Sequence, residues 1–160
     1  MRKQRILQER IRRVKVLFRE LGYETLDDES TEDAFSAGFR REKEGRGGQP
    51  KTENDGAHGG FFIDRESRFL EIGYTFSFSP SMSEFLKGRL EDMLKIAYEY
   101  GCYSNILSGQ AEIVFSVFTK IYFSGLNYYS LKDSLFDFRH CVDTITEVLD
   151  LGAEENGEEQ

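Results

Sequence analysis

One stretch of the sequence alternates strictly between apolar and small or polar residues, and this pattern restricts the fold more than any other feature. From Leu70 to Phe78 every second residue is a large apolar one. Because successive side chains of a strand point to opposite faces, the pattern predicts a strand over residues 68–79 with one buried face. Pro80 is expected to end this strand, since proline cannot continue the ladder. A shorter strand is predicted before it, over residues 61–64.

The first helix is predicted over residues 3–22, where apolar residues recur at alternating steps of four and three. Such spacing places them on one face, which either packs on a sheet or forms a seam between two copies of the chain. We prefer packing on a sheet, because three heptads are a short coiled-coil signal. Gly22 is a plausible stop signal. The residues of this face are Leu7, Ile11, Val14, Phe18 and Leu21.

Two more helices and a hairpin are predicted further along the chain. Ser81 and Glu84 have capping-box spacing for a helix over residues 82–100, and Gly101 closes it. The segments CYSNIL and AEIVFSVFTKIYFS flank the turn SGQ and indicate a hairpin. A last helix is predicted from a cap at Ser130 and Asp133 to Gly152. Its apolar stripe comprises Leu131, Leu135, Phe138, Val142, Ile145 and Leu149.

With a first strand over residues 33–42, these elements give the order α-β-β-β-α-β-β-α. Hairpins and helices in this order predict a two-layer α+β fold, with a five-stranded, mostly antiparallel sheet and helices packed mainly on one face. We expect a single domain over residues 1–152. Within it, residues 43–60 are rich in glycine and are predicted to form a flexible loop. The acidic residues 153–160 are predicted to be a disordered tail.

The region from Gly59 to Leu151 resembles the fold shared by type III secretion chaperones and YbjN-type sensory-transduction regulators. The resemblance lies in the helix, hairpin and last-helix pattern of the run SEFLKGRLEDMLKIAYEYGCYSNILSGQAEIVFSVFTKIYFSGLNYYSLKDSLFDFRHCVDTITEVL. Small size, an acidic isoelectric point and a terminal amphipathic helix are also similar to those chaperones. The resemblance implies a homodimer that binds other proteins and has no catalytic residues.

Charge and cysteine content restrict the partners and the compartment. The net charge is −8, which disfavours nucleic acid, although residues 1–19 hold eight Lys or Arg against one Glu. These cations could form a solvated face, meet the acidic tail of a neighbouring subunit, or bind anionic lipid or nucleic acid. The sequence has no run apolar enough to span a membrane and no signal peptide. Cys102 and Cys141 look isolated, so we expect reduced thiols and a cytoplasmic protein.

No arrangement of side chains in the sequence predicts catalysis, a cofactor or a metal. The chain has two histidines, of which His58 falls in the glycine-rich loop. His140 and Cys141 are adjacent on the last helix, so they point about 100° apart and poorly share a ligand. Acidic pairs such as Asp27–Asp28 fit a solvated surface. We therefore predict a protein that is not an enzyme and that needs no cofactor.

Aromatic residues are predicted on the sheet face that the helices leave open, and this face is the candidate site. Such a patch suits a partner protein or effector, or the second subunit of a homodimer. A nucleic-acid-associated regulator that uses the basic first helix is the alternative function. Two tyrosines before the last helix and one phenylalanine within it are added as partner-binding candidates. The complete set is Phe61, Ile63, Phe69, Phe118, Tyr122, Tyr128, Tyr129 and Phe136.

Overall fold

A computed structural model describes residues 2–42 and 58–158, and it confirms the α+β class. The described helices are α1 (Arg2–Glu20), α2 (Ser83–Glu99) and α3 (Tyr128–Glu158). The described strands are β1 (Tyr23–Ser30), β2 (Ala34–Arg41), β3 (Gly59–Asp64), β4 (Phe69–Phe78), β5 (Tyr103–Ser108) and β6 (Ile113–Tyr122). They form one sheet in the order β1-β2-β3-β4-β6-β5, in which β1 and β5 are the edges.

Strand β1 is the element that the sequence pattern did not reveal, so the sheet has six strands rather than five. Its sequence YETLDDES contains four carboxylates and little apolar character. Its pairing with β2 shifts register between Leu26 and Glu29. An edge strand needs no continuous apolar row, because it has a neighbour on one side only and lies close to solvent.

The described chain divides into two compact units, and both contribute strands to the sheet. The first unit comprises residues 1–72 and 120–133. Its core centres on Phe18 of α1, whose ring stacks on Phe61 at 4.8 Å and lies 5.0 Å from Phe39. Leu7, Ile11 and Val14 are buried with it. The sheet of the same chain thus covers the apolar face of α1. This confirms the prediction that α1 packs on the sheet and does not use this face as a seam between two copies.

Strand β3 has the opposite orientation from the one predicted. Phe61 and Ile63 are 2% and 0% exposed, whereas Phe62 between them is 41% exposed. In the antiparallel pairing with β2, Phe35 lies opposite Ile63 and Ala37 lies opposite Phe61. Residues opposite one another share a face, so the buried row of β2 carries Phe61 and Ile63 into the core. Their predicted place on the open face is wrong.

The second unit comprises residues 73–119 and 134–160. Along β6, buried residues alternate with half-buried or exposed ones, and Phe115 lies 6.3 Å from Phe76 of β4 between ring centroids. The apolar stripes of α2 and α3 supply the rest of this core, including Met93, Phe138 and Ile145. The predicted inner row of β6 is therefore correct.

The helix ends agree with the sequence only in part. Gly22 and Gly101 have positive φ of 88° and 70° and close α1 and α2, as expected. The predicted cap at Ser81 does not form, because Ser79 instead caps a 3₁₀ turn over Pro80–Met82. No side chain caps the first residue of α2.

Helix α3 begins and ends differently from the prediction. Its amino-terminal cap is a reciprocal pair in which the Ser130 amide donates to Asn127 Oδ1 and the Asn127 amide donates to Ser130 Oγ, both at 2.9 Å. The helix runs past its predicted end at Gly152 to Glu158, and the disorder of the acidic tail stays a prediction. Most of the predicted glycine-rich loop, residues 43–57, lies outside the described residues, and Gly59 and Gly60 belong to β3.

Candidate interaction surface

Edge strand β5 exposes apolar side chains on both of its faces. In the described part of the chain, β5 pairs with β6 on one side and with no strand on the other. Its sequence YSNILS contains no charged residue. Tyr103 and Leu107 alternate onto the open face and are 55% and 62% exposed, while Ile106 points to the opposite face and is 40% exposed. We call Tyr103, Ile106, Leu107 and Phe118 the edge surface.

Phe118 of β6 anchors the open face of this surface. It lies directly opposite Tyr103, and the two rings stack at 5.5 Å with an interplanar angle of 18°. The backbone of Gly73 faces Phe118, where an added Cβ would lie 3.5 Å from the Phe118 Cβ. Because successive strand residues point to opposite faces and Val117 is buried, the half-buried Phe118 ring lies where it was predicted, on the open face.

A second aromatic pair lies on the open face in the other unit. The rings of Phe69 and Tyr122 meet edge to face at 6.1 Å, and Lys120 Nζ lies 4.4 Å from the Phe69 ring centroid. Tyr122 is exposed and Phe69 is half-buried. The predicted orientation of both rings is confirmed, whereas their role in binding stays a prediction.

The remaining candidates lie on α3. Tyr128 and Tyr129 form an edge-to-face pair at 5.3 Å in the first turn of the helix, and Tyr129 is exposed. Phe136 is also exposed, and its ring centroid lies 4.4 Å from that of His140, whose other neighbour is Tyr100 at 6.4 Å. His140 is therefore held among aromatic rings. Six of the eight predicted candidates have solvent-accessible side chains, and only Phe61 and Ile63 do not.

Several cations of α1 are engaged with their own unit rather than spread over a solvated face. Arg10 donates to the Ser67 carbonyl oxygen at 2.9 Å, and its guanidinium lies 4.3 Å from the Phe123 ring centroid. Arg13 donates to the Leu126 carbonyl oxygen at 2.6 Å. Lys15 pairs with Asp28 at 3.0 Å. This part of the basic helix thus holds the loops at 65–68 and 123–127 in place.

A shallow depression of about 510 Å³ opens between the start of α1 and the turn that joins β1 to β2. It offers amide, hydroxyl, guanidinium and carboxylate groups. Its lining residues are Gln4, Arg5, Leu7, Gln8, Thr31 and Glu32. Across residues 2–42 and 58–158, no group of three His, Cys, Asp or Glu side chains is arranged to hold a metal ion.

Both cysteines belong to the second unit. Cys102 follows Gly101 at the end of α2 and is half-buried, with its thiol 3.9 Å from the Tyr100 carbonyl oxygen, whereas Cys141 lies buried in α3. The hydrogen bond from Cys141 lowers the pKa of Cys102, although burial and the Asp137 carboxylate oppose this effect. The same hydrogen bond, together with burial, raises the pKa of Cys141.

None of the described helices has both the length and the apolar character that crossing a bilayer requires. No family model matches the chain, and no curated protein matches it. A solved structure of an uncharacterized protein from Methanothermobacter thermautotrophicus is similar, with a TM-score of 0.64 and 14% sequence identity. The match covers 87% of this chain and 95% of that chain. At this identity the likeness establishes the fold.

Proposed function

We propose that the protein is a non-catalytic protein-binding module that works as a cytoplasmic homodimer, in a role similar to that of secretion chaperones or YbjN-type regulators. The observation that supports this proposal is the edge surface. It joins a strand edge that has no pairing strand among the described residues to half-buried and exposed aromatic and aliphatic side chains. Both features favour another polypeptide as the partner.

The backbone of β5 supplies the first part of the argument. One side of the strand has no pairing strand in the described chain, so its outward N–H and C=O groups are available to a new neighbour. Six residues of strand offer an edge of about 20 Å. Proteins that must avoid edge pairing commonly place lysine, proline or inward-pointing charge on such a strand, and the sequence YSNILS has none of these.

The side chains of β5 favour a second copy of the same chain as one occupant. If two β5 strands pair antiparallel about a two-fold axis at Asn105, Tyr103 of each copy comes opposite Leu107 of the other, on the open face. On the other face, Ile106 comes opposite Ser104. Every exposed apolar residue of the strand then gains a neighbour, as a self-complementary two-fold interface requires.

The remaining open-face pair, Phe69 and Tyr122, is left for a partner protein or effector. The nucleic-acid alternative has less support, because Arg10, Arg13 and Lys15 already bind groups of their own unit. Fewer cations of α1 are thus available for phosphates.

Light scattering on size-exclusion chromatography tests the dimer. The wild-type chain at about 50 µM should have twice the 18.5 kDa mass of one chain. Leu107→Lys places a charge in the interface and should raise the dimer dissociation constant by about 30-fold or more. Leu94→Lys is the matched control, since Leu94 is an exposed leucine of α2 in the same unit. A strictly monomeric wild type, or equal dimerisation of both variants, would contradict the proposal.

Cross-linking tests the register separately. Asn105→Cys should form a disulfide between two copies under mild oxidation, because the two Asn105 positions face one another across the axis. Ser124→Cys, an exposed position outside β5, is the control and should not cross-link at the same rate. Rapid cross-linking by the control alone would place the contact elsewhere.

A further inference from the structure

We propose that the outward side of α1 binds the surface of a bilayer that contains anionic lipid, with arginine side chains contacting the headgroup phosphates. The inference is independent of the edge surface and of the dimer. It rests on four exposed arginines of α1 and on two exposed aliphatic side chains beside them. We call Arg2, Arg5, Arg12 and Arg19 the arginine row.

The arginine row follows one side of the helix. Arg5, Arg12 and Arg19 are seven residues apart, which is about two helical turns, so they lie nearly above one another at intervals of about 10 Å. Arg2 lies about one turn before Arg5. All four side chains are exposed. The row points away from the sheet, because the opposite side of α1, around Val14, is buried in the core.

The packing of the first unit uses other cations of this helix. Arg10 and Arg13 donate to carbonyl oxygens, whereas Arg5 has Glu9 at 3.7 Å, in a pair whose side chains are 84% and 61% exposed. The first turn contains Arg2 and Arg5 and no acidic residue. Cations there meet the positive end of the helix dipole, which is unfavourable for the helix. Charges that oppose local stability in this way are expected where they serve a function.

The neighbours of the arginine row favour a bilayer over nucleic acid. Val16 lies between Arg12 and Arg19 and is 43% exposed, and Ile6, one turn after Arg2, is 40% exposed. Aliphatic side chains gain free energy by entering the boundary between headgroups and acyl chains. A nucleic-acid backbone attracts the cations but offers these aliphatic side chains no apolar environment. Arginine suits the headgroups because it donates two parallel hydrogen bonds to one phosphate.

The binding is expected to be peripheral, weak and sensitive to salt. The apolar side of α1 is buried in the core, and none of the described helices has the character to cross a bilayer, so α1 would lie on the surface. Each arginine near an anionic surface strengthens binding about fivefold. Glu9 and Glu20, which are exposed, and the net charge of −8 oppose this attraction. Salt screens it over about 8 Å at physiological ionic strength.

Vesicle co-sedimentation tests the proposal. At about 50 mM salt, the wild-type chain should sediment with vesicles of phosphatidylcholine that contain about 30% phosphatidylglycerol, but not with phosphatidylcholine alone. The double variant Arg12→Gln/Arg19→Gln should bind the anionic vesicles about 30-fold more weakly, which is about fivefold for each arginine. Lys87→Gln/Lys95→Gln is the matched control. It removes the same charge from exposed positions of α2 and should change binding by less than about twofold.

A single tryptophan reports which side of the protein meets the vesicles, because the wild-type chain contains none. The fluorescence emission of Val16→Trp should shift to shorter wavelength when anionic vesicles are added, since the indole ring enters the headgroup region. Leu94→Trp, at an exposed position of α2, is the control and should show no shift. Circular dichroism of every variant establishes that it is folded before vesicles are added.

Any of four results would overturn the proposal. The first three are no sedimentation of the wild type with anionic vesicles at low salt, equal weakening by the two double variants, and a wavelength shift for Leu94→Trp rather than for Val16→Trp. The fourth is retention of the wild type by double-stranded DNA or RNA of random sequence without binding to vesicles, which would assign the arginine row to nucleic acid.

Discussion

Replacing two neighbouring phenylalanines of β3, one at a time, tests the orientation of this strand. Phe61 is 2% exposed and contacts the rings of Phe18 and Phe35, so Phe61→Ala leaves a cavity in the core. Truncations of this kind cost about 3–5 kcal/mol. Phe62 is 41% exposed, and full burial of a phenylalanine contributes only about 1.5–3 kcal/mol. Phe62→Ala should therefore cost about 1 kcal/mol, since water fills the space that it vacates.

Urea unfolding followed by circular dichroism measures both losses in one experiment. With a slope of about 2 kcal/mol per molar urea, Phe61→Ala should lower the midpoint by about 2 M and Phe62→Ala by about 0.5 M. An unchanged slope validates the comparison, because the two variants then expose the same surface on unfolding. Equal losses, or a larger loss for Phe62→Ala, would refute the burial of Phe61 and restore the opposite orientation of β3.

Two more predictions concern contacts outside the strands. Arg10→Ala removes the hydrogen bond to the Ser67 carbonyl and the contact with Phe123, so it should lower the free energy of unfolding by about 1–2 kcal/mol. Arg12→Ala, at an exposed position of the same helix, should change it by less than about 0.5 kcal/mol in the same urea titration. Asn127→Ala removes the cap of α3 and should lower the melting temperature by about 2–4 °C in calorimetry; an unchanged value would show that the cap contributes nothing.

The sequence revealed the α+β fold because its strongest patterns are long and regular. The alternation in β4 and β6 and the apolar stripes of the helices each repeat over several turns or pairs, and the structure buries most of their residues. The orientation of β3 was not accessible in this way. Two adjacent phenylalanines give each face of a short strand one large ring, so alternation alone does not select the buried face. The pairing with β2 selects the buried face. This register depends on both strands, so the sequence of β3 alone does not predict it.

Other features could not be predicted from the sequence, for related reasons. The acidic β1 has no row of apolar residues that would predict a strand. It forms one because it lies at the edge of the sheet, where such a row is not required. Arg10 and Arg13 bind carbonyl oxygens far along the chain, and such contacts have no signature in local composition. On the candidate surface, the orientation of Phe69, Phe118 and Tyr122 followed from alternation, whereas the exposure of β5 required the strand order.

The two edge strands of the sheet, β1 and β5, differ in charge, and this difference limits how many chains can associate through them. Strand β1 carries four carboxylates and an irregular register, while β5 is neutral. If β5 associates with itself, each pair presents only β1 at its outer ends, and repulsion between acidic strands discourages a third chain from attaching there. If one edge strand of a sheet associates with its copy and the other edge strand is repelled by its copy, the assembly is limited to two chains. The acidity of β1 would thus oppose the addition of further chains at that edge.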